Sequence, residues 1–181
     1  MAHPTIRIGT PKDVAVLAEI IRISFRDVAK RFGLTQENCP THPSNCTVDW
    51  VRRDIDRGVT YFILEAEGIA SGCVALELAS SELCYLERLA VLPSQRRSGF
   101  GKALVDFVIA EAERFGPHRV SIGIIAGQKE LNNWYQKIGF VETETKEFAH
   151  LPFQVTFMIY EINRNYQRSV AVDGVNRTSE T

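Results

Sequence analysis

The chain has 181 residues, 45% of them hydrophobic and 24% charged, a composition typical of a single globular domain. The formal net charge of -1 and the pI near 6.4 exclude a general electrostatic attraction to nucleic acid or to anionic membranes. No apolar run approaches the length of a membrane span, and the first residues lack the apolar core of a signal peptide, so a cytoplasmic location is expected.

The N-terminal part predicts one short strand and one helix. Thr5–Ile8 alternates in polarity like a strand, and Gly9 ends it. Thr10 is a favourable helix N-cap with Pro11 at the first helical position, and apolar residues then recur on one face as far as about Lys30. A single helix is therefore expected.

Residues 34–46 are rich in proline and in side chains that favour turns, which predicts a loop long enough to have a binding role. Cys39, His42 and Cys46 lie in this loop and are potential metal ligands. A closed zinc site needs four ligands, however, so zinc is the less favoured interpretation and no metal is expected. A disulfide is disfavoured in a reducing compartment.

The rest of the chain predicts strands of a sheet interrupted by helices. A second helix begins after Thr47, and two β-rich runs joined by Glu67 and Gly68 predict a hairpin. From Asn163 onward the apolar pattern fades, so we predict a domain over residues 1–162 and a polar tail over 163–181. The further predicted elements are a strand at 85–92 ended by Pro93, a helix reaching Phe115, strands at 119–125, 140–147 and 153–161, and a helix at 129–138.

A basic glycine loop, residues 95–102, joins the strand at 85–92 to the next helix. The first N–H groups of a helix have no partner within it and carry partial positive charge, so an anion is stabilised there. Gly99 and Gly101 lack Cβ atoms and allow the backbone to approach a phosphate closely. The basic side chains add charged donors, so the segment predicts a pyrophosphate site; they are Arg96, Arg97 and Lys102.

Two common nucleotide loops do not fit the spacing of these glycines. A P-loop requires glycine where Arg96 stands and a metal-binding hydroxyl where Ala103 stands. A dinucleotide fingerprint that starts at Gly99 requires glycine at the position of Leu104. Neither ATP nor NAD is therefore predicted.

Two stretches resemble the GNAT superfamily of N-acetyltransferases. Arg96-x-x-Gly99-x-Gly101, after a strand that ends in Leu-Pro, resembles the acyl-coenzyme A loop of that family. Residues 134–140, Trp-Tyr-Gln-Lys-Ile-Gly-Phe, are similar to a second family motif. The resemblance implies a mixed α/β fold with three layers, α/β/α, and a mostly antiparallel sheet that splays between its fourth and fifth strands. It also implies acetyl-CoA as co-substrate, without a metal.

The same resemblance implies catalytic and acceptor-binding residues. Glu87 stands where family members often carry a carboxylate base, although an ordinary ion pair with Arg88 is an alternative. Tyr135 matches the usual proton donor to the departing thiolate, the alternative being a packed helix tyrosine. His42 and His150 are candidate contacts to the acceptor.

Main-chain groups of the fourth strand and the glycine loop are implied as the cofactor contacts. The chain departs from the family pattern at Gln128, where Asn is usual, and at Arg97 and Ser98, where Gly-Lys is common. The predicted contacts are Leu89, Ala90, Val91, Gln95, Arg96, Arg97, Ser98, Gly99, Phe100, Gly101, Lys102, Gln128 and Tyr135.

Together these features predict an N-acetyltransferase that moves an acetyl group from acetyl-CoA to a primary amine of a small molecule or a protein. A non-catalytic sensor of acyl-CoA with the same fold is the alternative, and an interaction protein that binds no nucleotide is a third. A homodimer is compatible with the resemblance, whereas nucleic acid and membrane partners are not expected.

Overall fold

The protein is built on a mixed seven-stranded sheet. The computed structural model describes residues 4–162, so residues 1–3 and the predicted tail at 163–181 lie outside the described residues. The strands are β1 (Thr5–Ile8), β2 (Thr60–Ala66), β3 (Ile69–Leu78), β4 (Leu83–Val91), β5 (Arg119–Ile125), β6 (Val141–Lys146) and β7 (Val155–Glu161). They pair in the order β1-β2-β3-β4-β5-β7-β6, and of the described pairs only β4 and β5 are parallel.

Helices cover both faces of this sheet. They are α1 (Val14–Ser24), α2 (Arg26–Phe32), α3 (Val48–Asp56), α4 (Phe100–Phe115) and α5 (Lys129–Ile138). β2 alternates between the two cores, because Tyr61 packs with α1 and α3 whereas Phe62 packs with α4 and α5. The predicted three-layer fold with a mostly antiparallel sheet is therefore confirmed. Within residues 4–162 no helix is both long and apolar enough to cross a membrane.

The sheet opens between its two central strands. β4 and β5 are paired at three positions, of which Tyr85 with Ser121 is the last. Beyond that point β5 stays paired with β7 along its whole length, from Arg119 to Ile125, and β4 stays paired with β3. β4 and β5 therefore diverge toward their C-terminal ends, which confirms the predicted splay.

A bulge in β4 lies just beyond the last pair with β5. Its register with β3 shifts by one residue between Glu87 and Ala90. Leu86 and Leu89 pack in the core on the α4 side, so the two residues between them both lie on the α1 side. Arg88, the second of these, has a positive φ of 51°, a backbone conformation that is uncommon for a residue with a side chain.

Contacts from α3 and β2 hold Arg88 in this conformation. Its guanidinium pairs with the carboxylate of Asp54, donates to the hydroxyl of Tyr61 at 2.7 Å and lies 4.9 Å from the ring centre of Trp50. The Tyr61 hydroxyl in turn donates to Asp54 at 2.7 Å. This Arg88–Asp54 network ties the bulge in β4 to α3 and β2. Each polar group in the network has a hydrogen-bond partner, as buried polar groups require.

The prediction of a single N-terminal helix is wrong. α1 and α2 are separated at Phe25, whose ψ near 0° changes the direction of the chain. The break frees the carbonyl of Ser24, which accepts a hydrogen bond from Arg96 at 2.7 Å. The N–H of Val28, which would bond that carbonyl in a continuous helix, donates to the side chain of Asp27. Long-range contacts thus replace the helical bond.

We predict that Asp54→Ala lowers the free energy of unfolding by about 3–5 kcal/mol, because it leaves a buried guanidinium without its carboxylate. Chemical denaturation measures the loss. Asp49→Ala is the matched control, since Asp49 is on the same helix and pairs with Arg52, but its side chain is 74% exposed against 5% for Asp54. Equal losses in the two variants would contradict a structural role for the buried pair.

Candidate active site

A cleft of about 1120 Å³ occupies the gap where β4 and β5 diverge. Its lining contains most of the residues singled out from the sequence: His42, Glu87, Leu89, Val91, Gln95, Arg96, Arg97, Gly99, Phe100, Gly101, Lys102, Gln128 and Tyr135. Three others lie outside that lining. Ala90 is buried in the core beneath α1, Ser98 is exposed in the glycine loop, and His150 is exposed with its ring 5.8 Å from that of Phe148.

The start of α4 forms a cradle at one end of the cleft. Gly99 is in the left-handed region with φ of 81°, and Arg97 precedes it with φ of 66°. The first bond of the helix runs from the N–H of Ala103 to the carbonyl of Gly99, so the amides of residues 100–102 precede it. A Cβ atom at Gly101 would meet the ring of Trp134 at 3.6 Å, which is ordinary contact.

The basic side chains of the loop have separate roles. The guanidinium of Arg96 is held by Asp27 and the Ser24 carbonyl, and this contact holds the pKa of Asp27 below its usual range. Lys102 pairs with Asp106 on the next turn of α4 at 2.6 Å. Within residues 4–162, Arg97 alone of the three has no ion pair, so it is the loop cation most available to an anion.

Glu87 enters the cleft from the face of the sheet that carries α1 and α3. Burial raises the pKa of its carboxyl; Arg88 opposes this shift and Glu77 adds to it. The nearest guanidinium nitrogen of Arg88 is 3.8 Å away, at the outer limit of an ion pair. Because Arg88 is committed to Asp54, the alternative of a simple Glu87–Arg88 pair describes a minor contact.

Tyr135 enters the same cleft from the opposite face. It lies on α5, is 4% exposed, and packs edge to face between Trp134 and Phe140, with ring centres at 4.8 and 5.2 Å. Burial raises the pKa of its phenol, which therefore stays protonated at neutral pH. No residue in the described range hydrogen-bonds its hydroxyl, so this group is free to serve a ligand.

The loop at 34–46 is anchored by buried side chains, although residues 35–38, 40 and 41 are exposed. His42 is 5% exposed, its Nδ1 lies 2.8 Å from the hydroxyl of Ser44, and burial lowers the pKa of its ring. Cys39 and Cys46 are buried thiols, as are the two other cysteines of the chain. Among the described residues no group of three or more potential metal ligands lies together.

Comparison with known proteins identifies the family. A family model described as "Acetyltransferase (GNAT) family" matches residues 25–140, more than half of the chain. The chain belongs to the acetyltransferase (GNAT) family. It is 27% identical over 140 residues to the uncharacterized N-acetyltransferase YjgM of Escherichia coli K12, an alignment that covers 76% of this chain and 81% of that protein.

Solved GNAT structures have the same fold. YncA, a putative acetyltransferase from Salmonella typhimurium solved with its cofactor acetyl-CoA, superposes with a TM-score of 0.67 at 20% identity, covering 90% of this chain and 96% of YncA. The ribosomal-protein-S18-alanine N-acetyltransferase of Escherichia coli gives a TM-score of 0.69 at 17% identity, with 89% and 95% coverage. At these identities the likeness concerns the fold alone.

As a GNAT protein the chain is an acyltransferase that uses acetyl-CoA, whose thioester supplies an activated acetyl group. The residues present fit this co-substrate. The amides at the start of α4 and the side chain of Arg97 would hold its diphosphate, and the space where Gly99 would carry a Cβ is open, with no atom within 4 Å. The edge of β4 that turns away from β5 would accept an extended chain such as pantetheine.

Several residues that shape this GNAT site were not found from the sequence. Asp54, Tyr61 and Trp50 hold the bulge, and Asp27 holds Arg96 of the glycine loop. The one available signal was the four-residue spacing of Trp50 and Asp54, which places them on the same face of a helix. Their partner Arg88 is 34 positions from Asp54, and no local pattern connects the two.

We predict that Gly101→Glu abolishes acetyl-CoA binding, because it places bulk and negative charge where the first amides of α4 face the diphosphate. The thermal shift produced by acetyl-CoA is the measurement. Ala110→Glu adds the same charge at an exposed position of the same helix, away from its start, and should keep the shift. If Gly101→Glu kept the thermal shift, the assignment of the diphosphate to the start of α4 would be wrong.

Proposed function

We propose that the protein acetylates a primary amine by direct transfer from acetyl-CoA, with Glu87 as general base and Tyr135 as donor to the leaving sulfur. The observation that supports this most is the convergence of Glu87 and Tyr135, from opposite faces of the sheet, on one cleft. Without the gap between β4 and β5 the sheet itself would separate them.

Glu87 suits the removal of a proton from the acceptor. An ammonium has no lone pair, so it must lose a proton before its nitrogen can attack. A carboxyl whose pKa is raised by burial accepts that proton more readily near neutral pH than an ordinary one. Glu87 can act directly or through one water, and its partial exposure of 37% gives the proton a route to solvent.

Tyr135 suits the stabilisation of the leaving sulfur. The acceptor nitrogen bonds to the acetyl carbon as the carbon–sulfur bond breaks, and the sulfur then needs a proton or a strong hydrogen bond. Full proton transfer from a phenol to an alkyl thiolate costs about 2 kcal/mol at ordinary pKa values. Burial raises the pKa of Tyr135 further, so we propose that it acts chiefly as a hydrogen-bond donor to the sulfur.

The experiment that tests this function measures thiol release from acetyl-CoA with a panel of primary amines. Release that depends on the amine, with the acetylated amine found by mass spectrometry, supports the proposal. Binding of acetyl-CoA without release, for every amine offered, would instead support the sensor alternative.

For Tyr135→Phe we expect kcat to fall by on the order of 100-fold, while the Kd for acetyl-CoA and the melting temperature change little. The hydroxyl makes no hydrogen bond to the described residues, so its removal leaves the packing intact. Tyr160→Phe is the control, because Tyr160 packs against Phe140 on the same side of the sheet but outside the cleft. An undiminished kcat in Tyr135→Phe would exclude it from the reaction.

Glu87→Gln should lower kcat/KM by about 100-fold. It should also remove the acidic limb of the pH profile of kcat/KM, because that limb reports the ionisation of this carboxyl.

The same change should stabilise the fold at neutral pH. Because the folded-state pKa is raised, the ionised carboxylate opposes folding; the penalty is absent below the unfolded-state pKa and develops as pH rises through the folded-state pKa.

Denaturation of wild type and Glu87→Gln at several pH values measures this difference in stability. It should grow from acid to neutral pH. Glu113→Gln, at an exposed position of α4, should change neither the rate nor the pH dependence. A Glu87→Gln variant that keeps the wild-type pH profile would exclude Glu87 as the base.

A further inference from the structure

The half of the cleft on the Glu87 side has an apolar floor. Tyr85 lies on the same face as Glu87, and its parallel partner is Ser121 on β5. Two residues further along β5 comes Gly123, which adds no side chain to this face. A Cβ there would lie 3.1 Å from Val155 and 3.5 Å from the ring of Phe157, so these two side chains of β7 cover the floor.

The walls of this half are aromatic. Half-buried rings from different elements line it: Phe25 between α1 and α2, Trp50 on α3, Phe153 before β7 and Phe157 on β7. His42 adds a buried neutral ring 5.9 Å from Phe25. Aromatic walls favour apolar bodies, and their ring faces also attract an ammonium.

The charged groups around this half are nearly all neutralised by one another. Arg88 is paired with Asp54, and Arg31 is paired with Glu130 at 3.3 Å. Asp27 is occupied by Arg96, as described above. Among the described lining residues of this half, Glu87 is the carboxylate that no side chain hydrogen-bonds, and the cations Arg31 and Arg88 both have an acidic partner. Arg97, which has no ion pair, belongs to the glycine loop at the other end of the cleft.

α2 lies across the open end of the gap. At its start Asp27 is held by Arg96, which follows β4. At its end the ring of Phe32 packs beside Gly127, which follows β5. A Cβ atom added at Gly127 would lie 3.0 Å from that ring. The Arg31–Glu130 pair reinforces this second attachment. The helix therefore spans from the end of β4 to the end of β5 and limits the size of what reaches Glu87.

We propose that the acceptor is a small amine with an aromatic or branched apolar body, a single positive charge, and no carboxylate or phosphate. The proposal rests on the amine acetylation proposed above and names its substrate class. An apolar body fits the aromatic walls, one ammonium fits the one carboxylate that no side chain hydrogen-bonds, and an anionic group in this half of the cleft would be desolvated without a free cation beside it. Polyamines fit less well because they carry further positive charges, and free amino acids because they carry a carboxylate. Lysines of folded proteins fit less well because α2 limits access to Glu87.

A matched amine panel tests this class. We expect kcat/KM for phenethylamine to exceed that for ethylamine by on the order of 100-fold, from burial of the ring. The ring-carboxylated analogue of phenethylamine, whose amine is equally basic, should fall by a similar factor. Spermidine and a peptide with a free N-terminus should both be poorer than phenethylamine. A highest kcat/KM for spermidine, the carboxylated analogue or the peptide would overturn the proposal.

A variant pair tests whether the aromatic wall recognises the body of the acceptor. Phe153→Ala should reduce the phenethylamine-to-ethylamine ratio of kcat/KM by about 10-fold. Phe115→Ala also removes a phenylalanine ring, but at a 54% exposed position at the end of α4, and should preserve the ratio. The ratio compares two substrates of one protein sample, so it is insensitive to the folded fraction. An unchanged ratio in Phe153→Ala would overturn the assignment of this wall.

Calorimetry separates the substrate class from the reaction. Phenethylamine is titrated into the protein loaded with free coenzyme A. Binding of phenethylamine without any acetylation would support the substrate class and refute the proposed function. Acetylation of other amines in preference to phenethylamine would leave the proposed function standing and refute the substrate class. No binding of phenethylamine would also refute the substrate class.

Discussion

The buried contact between Arg88 and Asp54 holds the bulge in β4 beside which the central sheet opens. A buried ion pair seldom adds net stability, because the removal of two charges from water offsets their attraction. Its value here is conformational: it holds Arg88 at a positive φ and so keeps two successive side chains of β4 on one face. β4 leaves β5 beside this bulge, while β5 remains paired with β7. The cleft, both candidate catalytic groups and the acceptor half all follow from that divergence.

The same gap explains how groups from two separate cores can meet. Glu87 belongs to the face covered by α1 and α3, and Tyr135 to the face covered by α4 and α5. Desolvation raises the pKa of both, with different chemical consequences. The carboxylate becomes a stronger base near neutral pH, whereas the phenol is kept as a hydrogen-bond donor. A single physical cause thus suits the two groups to the opposite roles proposed for them.

Much of the fold and part of the site could be predicted from the sequence. The glycine loop at 95–102 and the motif at 134–140 led to the family, and alternation and turn residues placed the strands to within a few positions. The N-terminal helix was predicted as continuous because the apolar period does not stop at Phe25. Its break depends on Arg96, which competes for the Ser24 carbonyl from 72 positions away. Arg96 was predicted as a phosphate ligand, yet its guanidinium is committed to Asp27 and that carbonyl.

By itself the sequence determined the elements and the glycine loop, because missing Cβ atoms and hydrophobic periods are local properties of the chain. Two short motifs added the family resemblance, and that resemblance implied the fold class and the candidates Glu87 and Tyr135. Only the tertiary structure decided which arginine of the glycine loop has no ion pair, which carboxylate of the cleft no side chain hydrogen-bonds, and how α2 spans the gap. Those outcomes depend on ion pairs and desolvation between residues far apart in the chain, and local patterns do not encode such contacts.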